Sequence, residues 1–66
     1  MKYTYRIYKC SQPNNTYYVT TMSLSFADRP RFALEYQDVD LTYDKKTGQM
    51  IQEKYSDWRK VPNPIF

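Results

Sequence analysis

Hydrophobic and polar residues alternate at the start of the chain in a way that predicts a β-strand. In residues 2–10, KYTYRIYKC, one side of an extended backbone carries the side chains of Tyr3, Tyr5 and Ile7, and the other side carries those of Lys2, Thr4, Arg6 and Tyr8. Such alternation is typical of a strand with one face in solvent. We therefore expect Tyr8 to lie on an exposed, basic face.

A second strand is predicted to return beside the first. Residues 11–15, SQPNN, are all common turn formers. Residues 16–24, TYYVTTMSL, are rich in β-branched and aromatic side chains, which favour strands. The pattern predicts an antiparallel hairpin of 2–10 with 16–24.

The middle of the chain allows two interpretations. Residues 25–31, SFADRPR, are a connection, because Pro30 is unfavourable in a central strand. Over 28–36, Asp28 could cap a short helix with Pro30 in its first turn. The alternation of Phe32 with Leu34 and Tyr36 favours a strand instead.

The strand interpretation continues into a second hairpin. The alternation resumes at Val39 with its phase shifted by one residue, which predicts a bulge near Gln37 and Asp38. Residues 44–48, DKKTG, contain the only glycine and predict a turn closed by a left-handed residue. Residues 49–55 then return as a strand.

Together these elements predict a mostly β domain with a small antiparallel sheet of four to five strands. Two hairpins could curl into a small barrel, and a helix near 28–36 would make the fold α+β. We expect a single domain over 1–61, followed by an extended tail over 62–66 that contains two prolines.

Composition narrows the classes of function. With one cysteine and no histidine, the chain offers no disulfide, no multi-cysteine zinc site and no histidine base. We expect an intracellular, cytoplasmic protein with a free thiol, without a secretory signal, a membrane span or a cofactor, and not an enzyme. Only nine aliphatic side chains of Val, Leu and Ile are present, so tyrosines must fill part of the core.

Charge is uneven along the chain and suggests one candidate surface. The net charge is +3, and residues 1–31 carry five basic side chains against one acid. Rings flanked by cations can hold single-stranded nucleic acid, because bases stack on the rings while the cations neutralise phosphates. The candidate residues for this surface are Lys2, Arg6, Tyr8, Lys9, Tyr18, Arg29 and Arg31.

A second candidate surface would bind protein. Trp and Arg are enriched at interface hot spots, and an acidic stretch over 35–44 could imitate phosphate charge. The candidate residues are Glu35, Asp38, Asp40, Trp58, Arg59 and Phe66. Asp38 and Asp40 share one strand face, but a solvated acidic edge is favoured over a metal site there.

The sequence therefore favours a small, non-enzymatic binding protein. The hypothesis is that it modulates or inhibits a larger macromolecular partner, in the manner of small phage or mobile-element inhibitors of nucleic-acid-handling machinery. The alternative is a single-stranded nucleic-acid-binding protein that uses the basic, tyrosine-rich first hairpin. A homodimer through an open sheet edge is a further option, because so small a core would gain from a partner.

Overall fold

A computed structural model describes residues 1–20 and 25–65 as one antiparallel sheet with five strands. The strands are β1 (Lys2–Cys10), β2 (Tyr17–Thr20), β3 (Ala33–Tyr43), β4 (Met50–Tyr55) and β5 (Arg59–Lys60). Their order is β2-β1-β3-β4, and β5 pairs with β3 beyond the end of β4. The predicted mostly β fold is confirmed.

The first hairpin is confirmed where it is described. Ile7 lies opposite Val19 and Tyr8 lies opposite Tyr18. The turn is closed by a hydrogen bond from the Cys10 amide to the Thr16 carbonyl at 2.8 Å. The remainder of the predicted second strand, residues 21–24, lies outside the described residues.

The strand interpretation of the middle segment is confirmed over most of its length. A single turn of 3-10 helix, Phe26–Asp28, precedes β3 and ends before Pro30, so the described residues contain no α-helix over 28–36. Ser25 caps this turn by accepting a hydrogen bond from the Ala27 amide. Phe32 adopts a left-handed φ of 65° just before the strand begins.

The bulge predicted near Gln37 and Asp38 is wrong. Pairing between β1 and β3 runs continuously through both residues, and it shifts instead between Lys9 and Cys10. What changes at Asp38 is the neighbour on the other side of β3. There β4 has ended, and Ser56 bonds to the Asp38 backbone through its amide and its hydroxyl.

The second hairpin turns as predicted. Gly48 has a φ of +73°, and its amide donates to the Asp44 carbonyl. The Asp44 carboxylate accepts from the amides of Lys46 and Thr47. A bulge between Thr42 and Tyr43 lies just before this turn, at the end of β3.

The sheet remains open, so the barrel option is not realised. The radius of gyration is 13.5 Å, against about 11 Å for a compact chain of this length. The principal extents are 45 × 20 × 18 Å. An open, elongated sheet cannot cover both of its own faces, and this determines which side chains are exposed.

One end of one face carries the core. Its buried members are Tyr8, Cys10, Ala33 and Val61, with Phe26, Phe32 and Tyr36 packed around them. The connection and the C-terminal segment supply the cover. Within residues 62–65, the carbonyls of Asn63 and Ile65 accept hydrogen bonds from Arg29 and from the Phe32 amide, so this segment folds back on the sheet.

The prediction that Tyr8 and Arg6 lie on an exposed face of β1 is wrong. Tyr8 is only 1% exposed and Arg6 only 6%, whereas Tyr3 is 51% exposed. The face with Arg6 and Tyr8 is the one that the connection covers. An arginine can lie there because its stem and its flat guanidinium pack on aromatic rings.

Candidate functional site

The side of the sheet that no other described segment covers is the main candidate site, and we name it the aromatic face. It follows from the pairing register, since directly opposed residues share a face. Its ring and aliphatic members are Tyr3, Tyr5, Ile7, Tyr17, Val19, Val39, Leu41, Tyr43, Tyr55 and, through its contact with Tyr17, Trp58.

Val39 lies at the centre of the aromatic face. It is fully buried although no second layer covers it within the described residues. Tyr5 and Tyr55 lie opposite it on the two neighbouring strands, so their rings flank it. A hydrogen bond from the Tyr55 hydroxyl to the Glu53 carboxylate, together with the interaction with the nearby Tyr5 hydroxyl, raises the pKa of Tyr55 above its ordinary value.

The rings toward the edges of the aromatic face are exposed. Tyr17 is 58% exposed, and its ring lies 6.1 Å from that of Trp58 at a tilt of 45°. Tyr3 and Tyr43 make an edge-to-face pair at 5.6 Å. These pairs hold the rings in fixed positions, which lowers the entropy that a binding partner would have to remove.

A groove lies at the loop end of the aromatic face. Its volume is about 500 Å³, and most of its lining is apolar. The main contributors are Met1, Tyr3, Leu41 and Tyr43, with Asp44 at the loop side. A groove of this kind can receive apolar side chains from another molecule.

Charges on the aromatic face are balanced. Lys9 and Lys60 lie opposite Glu35 on either side of it, and Glu53 lies opposite Leu41. The four charged residues that the register places on this face are therefore two lysines and two glutamates. Such a surface has little net attraction for a polyanion.

The opposite face holds a partly buried ion pair. Arg6 Nε donates to Asp38 Oδ1 at 2.6 Å, and its guanidinium lies 4.4 Å from the Tyr36 ring centre and 4.8 Å from that of Phe26. The hydrogen bond to Asp38 raises the pKa of Arg6 above its already high ordinary value. This arginine is thus committed to holding the fold together.

The predicted nucleic-acid residues do not form one surface. Arg6 and Tyr8 are buried, and Lys9 lies on the other face from Lys2 and Tyr18. The remaining two arginines have their own contacts. Arg29 donates to the carbonyls of Phe26 and Asn63, and Arg31 lies over the Phe32 ring at 5.5 Å.

The predicted partner-binding residues are also divided between the faces. Glu35 and Trp58 belong to the aromatic face, whereas Asp38, Asp40 and Arg59 lie on the other. Asp40 accepts a hydrogen bond from Thr4 at 2.8 Å. Phe66 lies outside the described residues.

Metal-binding and thiol chemistry are poorly supported by the geometry. Within residues 1–20 and 25–65, no group of three or more His, Cys, Asp or Glu side chains is placed to hold a metal ion. Burial raises the pKa of the Cys10 thiol, which makes it less nucleophilic at neutral pH. The same part of the chain contains no helix that is both long and apolar enough to cross a membrane.

Comparison with known proteins gives no match: no family model fits the chain, and no curated protein or solved structure shows significant similarity to it. Function must therefore be inferred from the surface itself.

Sequence reasoning missed three of the exposed rings, namely Tyr3, Tyr17 and Tyr55. The period-two pattern of β1 does place Tyr3 and Tyr5 together, but it cannot show which face the connection will cover. In β2, Tyr17 and Tyr18 are adjacent, so the sequence alone offers no reason to choose one of them.

Proposed function

We propose that the protein is a non-enzymatic binding protein that modulates or inhibits a larger protein partner through its aromatic face. The observation that carries the proposal is an uncovered sheet face with exposed tyrosine, tryptophan and aliphatic side chains. Large exposed apolar patches mark interaction sites, and Tyr and Trp are enriched at interface hot spots.

The balance of charge supports a protein partner over nucleic acid. A protein interface has a core depleted of charge with rings at its centre, as the aromatic face has around Val39. Binding to nucleic acid needs cations that are not already matched by acids. On the aromatic face, Lys9 and Lys60 both flank Glu35.

The test uses two neighbouring tyrosines as a matched pair. Tyr17 and Tyr18 are adjacent in β2, are 58% and 53% exposed, and project to opposite faces. Immobilised wild-type protein, Tyr17→Ala, Trp58→Ala and Tyr18→Ala would each be incubated with extract of the source cells. Captured proteins would be compared by quantitative mass spectrometry.

We expect wild type and Tyr18→Ala to capture one protein equally, and Tyr17→Ala and Trp58→Ala to capture much less of it. The purified protein should then change the activity of that captured partner in solution. Equal capture by all four baits, or a partner whose activity stays unchanged, would overturn the proposal.

A further inference from the structure

Two of the four charges on the aromatic face, those of Lys60 and Glu53, are arranged in a self-complementary way. We use each residue of β3 to mark a level along the face, and a level consists of that residue and the residues directly opposite it on the two neighbouring strands. At the level of Glu35 the neighbouring strands contribute Lys9 and Lys60, and at the level of Leu41 they contribute Tyr3 and Glu53. Lys60 and Glu53 lie on the same side of β3, at equal distances from Asp38 along the strand.

We propose that two copies of the chain associate through their aromatic faces, with strands antiparallel across the interface. A two-fold axis that runs across the strands at the level of Asp38 exchanges the level of Glu35 with that of Leu41. Lys60 of one copy then faces Glu53 of the other, and the pair occurs twice because the interface is isologous.

The other face-to-face arrangement is unfavourable. A two-fold axis parallel to the strands keeps each level in place and exchanges the two neighbours of β3. Lys9 of one copy would then face Lys60 of the other, and this contact would occur twice in the symmetric dimer. Like charges placed opposite one another oppose association, so the charge pattern selects the antiparallel arrangement.

The apolar side chains fit the same arrangement. The axis places the level of Val39 over the level of Gln37 in the other copy. Tyr5 and Tyr55 at the first level would therefore contact Ile7 and the Trp58 segment at the second. Two stacked sheets separated by about 10 Å form a β-sandwich, which supplies the second layer that residues 1–20 and 25–65 do not form over this face.

The size of the face predicts a weak, reversible dimer. From strand spacing and residue rise, β3 and its neighbours cover about 27 Å by about 19 Å, or roughly 500 Å² in each copy. The total of about 1,000 Å² is at the lower limit of specific interfaces. We therefore expect a dissociation constant in the micromolar range.

The dimer does not depend on the larger partner described under Proposed function. If both exist, they compete for the aromatic face, and the dimer is the form in which the free protein buries its rings. A monomeric protein would overturn the dimer and leave the capture experiment to decide the proposed function.

The experiment reverses the charge at each member of the pair and measures dimerisation by sedimentation velocity at micromolar protein concentrations. Lys60→Glu places a carboxylate opposite the carboxylate of Glu53, and Glu53→Lys places an ammonium group opposite that of Lys60. Each variant alone should dimerise at least about tenfold more weakly than wild type. When the two variants are mixed, both cross-interface pairs become opposite in charge, and the mixture should recover a heterodimer.

The control is Lys54→Glu, which changes charge on β4 but faces the other side of the sheet opposite Asp40. It should leave the dimer intact, and circular dichroism would establish that all variants keep their strands. A wild-type monomer throughout the range, single variants that dimerise like wild type, or a mixture that stays monomeric would each overturn the proposal.

Discussion

At the scale of single residues, the position of Tyr8 decides between two accounts of the first strand. Its ring is 1% exposed and belongs to the cluster with Cys10, Ala33 and Val61. A base could not stack on this ring without unfolding its surroundings. Tyr8 therefore contributes to stability, and any binding role falls to the tyrosines of the aromatic face.

Tyr8→Ala should destabilise the protein by about 3–5 kcal/mol, because it removes a buried ring and leaves a cavity. A loss of that size is comparable with the whole stability of so short a chain. The measurement is urea unfolding monitored by circular dichroism.

The control for this substitution is Tyr18→Ala, which removes the directly opposed tyrosine from the same face at the sheet edge. Because Tyr18 is more than half exposed, its loss should change stability by no more than about 0.5 kcal/mol. Similar effects of the two substitutions would contradict the burial of Tyr8.

At the scale of elements, the turn between β3 and β4 is specified by local chemistry alone. Gly48 has a left-handed backbone, and a Cβ at this position would meet no atom within 4 Å. Any cost of substitution must therefore come from the backbone conformation and not from a clash.

Gly48→Ala should lower the free energy of unfolding by about 1 kcal/mol, since alanine disfavours a positive φ. Gly48→Asn should cost less, because asparagine tolerates the left-handed region. Thermal unfolding of both variants beside wild type would measure the difference. An alanine variant as stable as the asparagine variant would contradict this account.

The elements also show how far the sequence could be interpreted. Both hairpins were predictable because turn residues and β-rich runs are local signals. The covered face was not predictable, because β1 has tyrosines on both sides and the paths of residues 25–32 and of the C-terminal segment decide between them. The phase shift at Gln37 suggested a bulge, yet it reflects a change of neighbour from β4 to Ser56.

The candidate site was only partly predictable for the same reason. Trp58 and Glu35 were expected to contact a partner and do lie on the aromatic face. Asp38 was expected there too, but it is the ion-pair partner of Arg6 on the opposite side. Sequence spacing gives the alternation of a strand, whereas the pairing of distant strands determines what each face becomes.

At the scale of the whole molecule, an open sheet with one covered face presents rings and balanced charges on the other. The net charge of +3 is spread over both faces, the loops and the connection, so it does not form a continuous basic stripe. This arrangement bears on the alternative function, because single-stranded nucleic acid requires rings and unmatched cations on the same surface.

Titration with short single-stranded DNA and RNA at near-physiological salt should give no saturable change in tryptophan fluorescence. Trp58 is the only tryptophan and lies 6.1 Å from Tyr17, so a stacking base would alter its emission. Saturable binding that weakens steeply with salt, and that Trp58→Ala or Tyr17→Ala abolishes but Tyr18→Ala does not, would establish the alternative.

The adjacent tyrosines of β2 have a consequence for how this protein could vary. If β2 moved by one residue along β1, Tyr18 would replace Tyr17 beside Trp58, and the ring presented to a partner would be chemically the same. The two tyrosines therefore do not distinguish the two alignments, and the hydrogen bond from the Cys10 amide to the Thr16 carbonyl, with Val19 opposite Ile7, marks the observed one. A change of one residue in the length of the 11–15 loop would thus keep a tyrosine beside Trp58, at the cost of exchanging Val19 for Thr20 on the aromatic face.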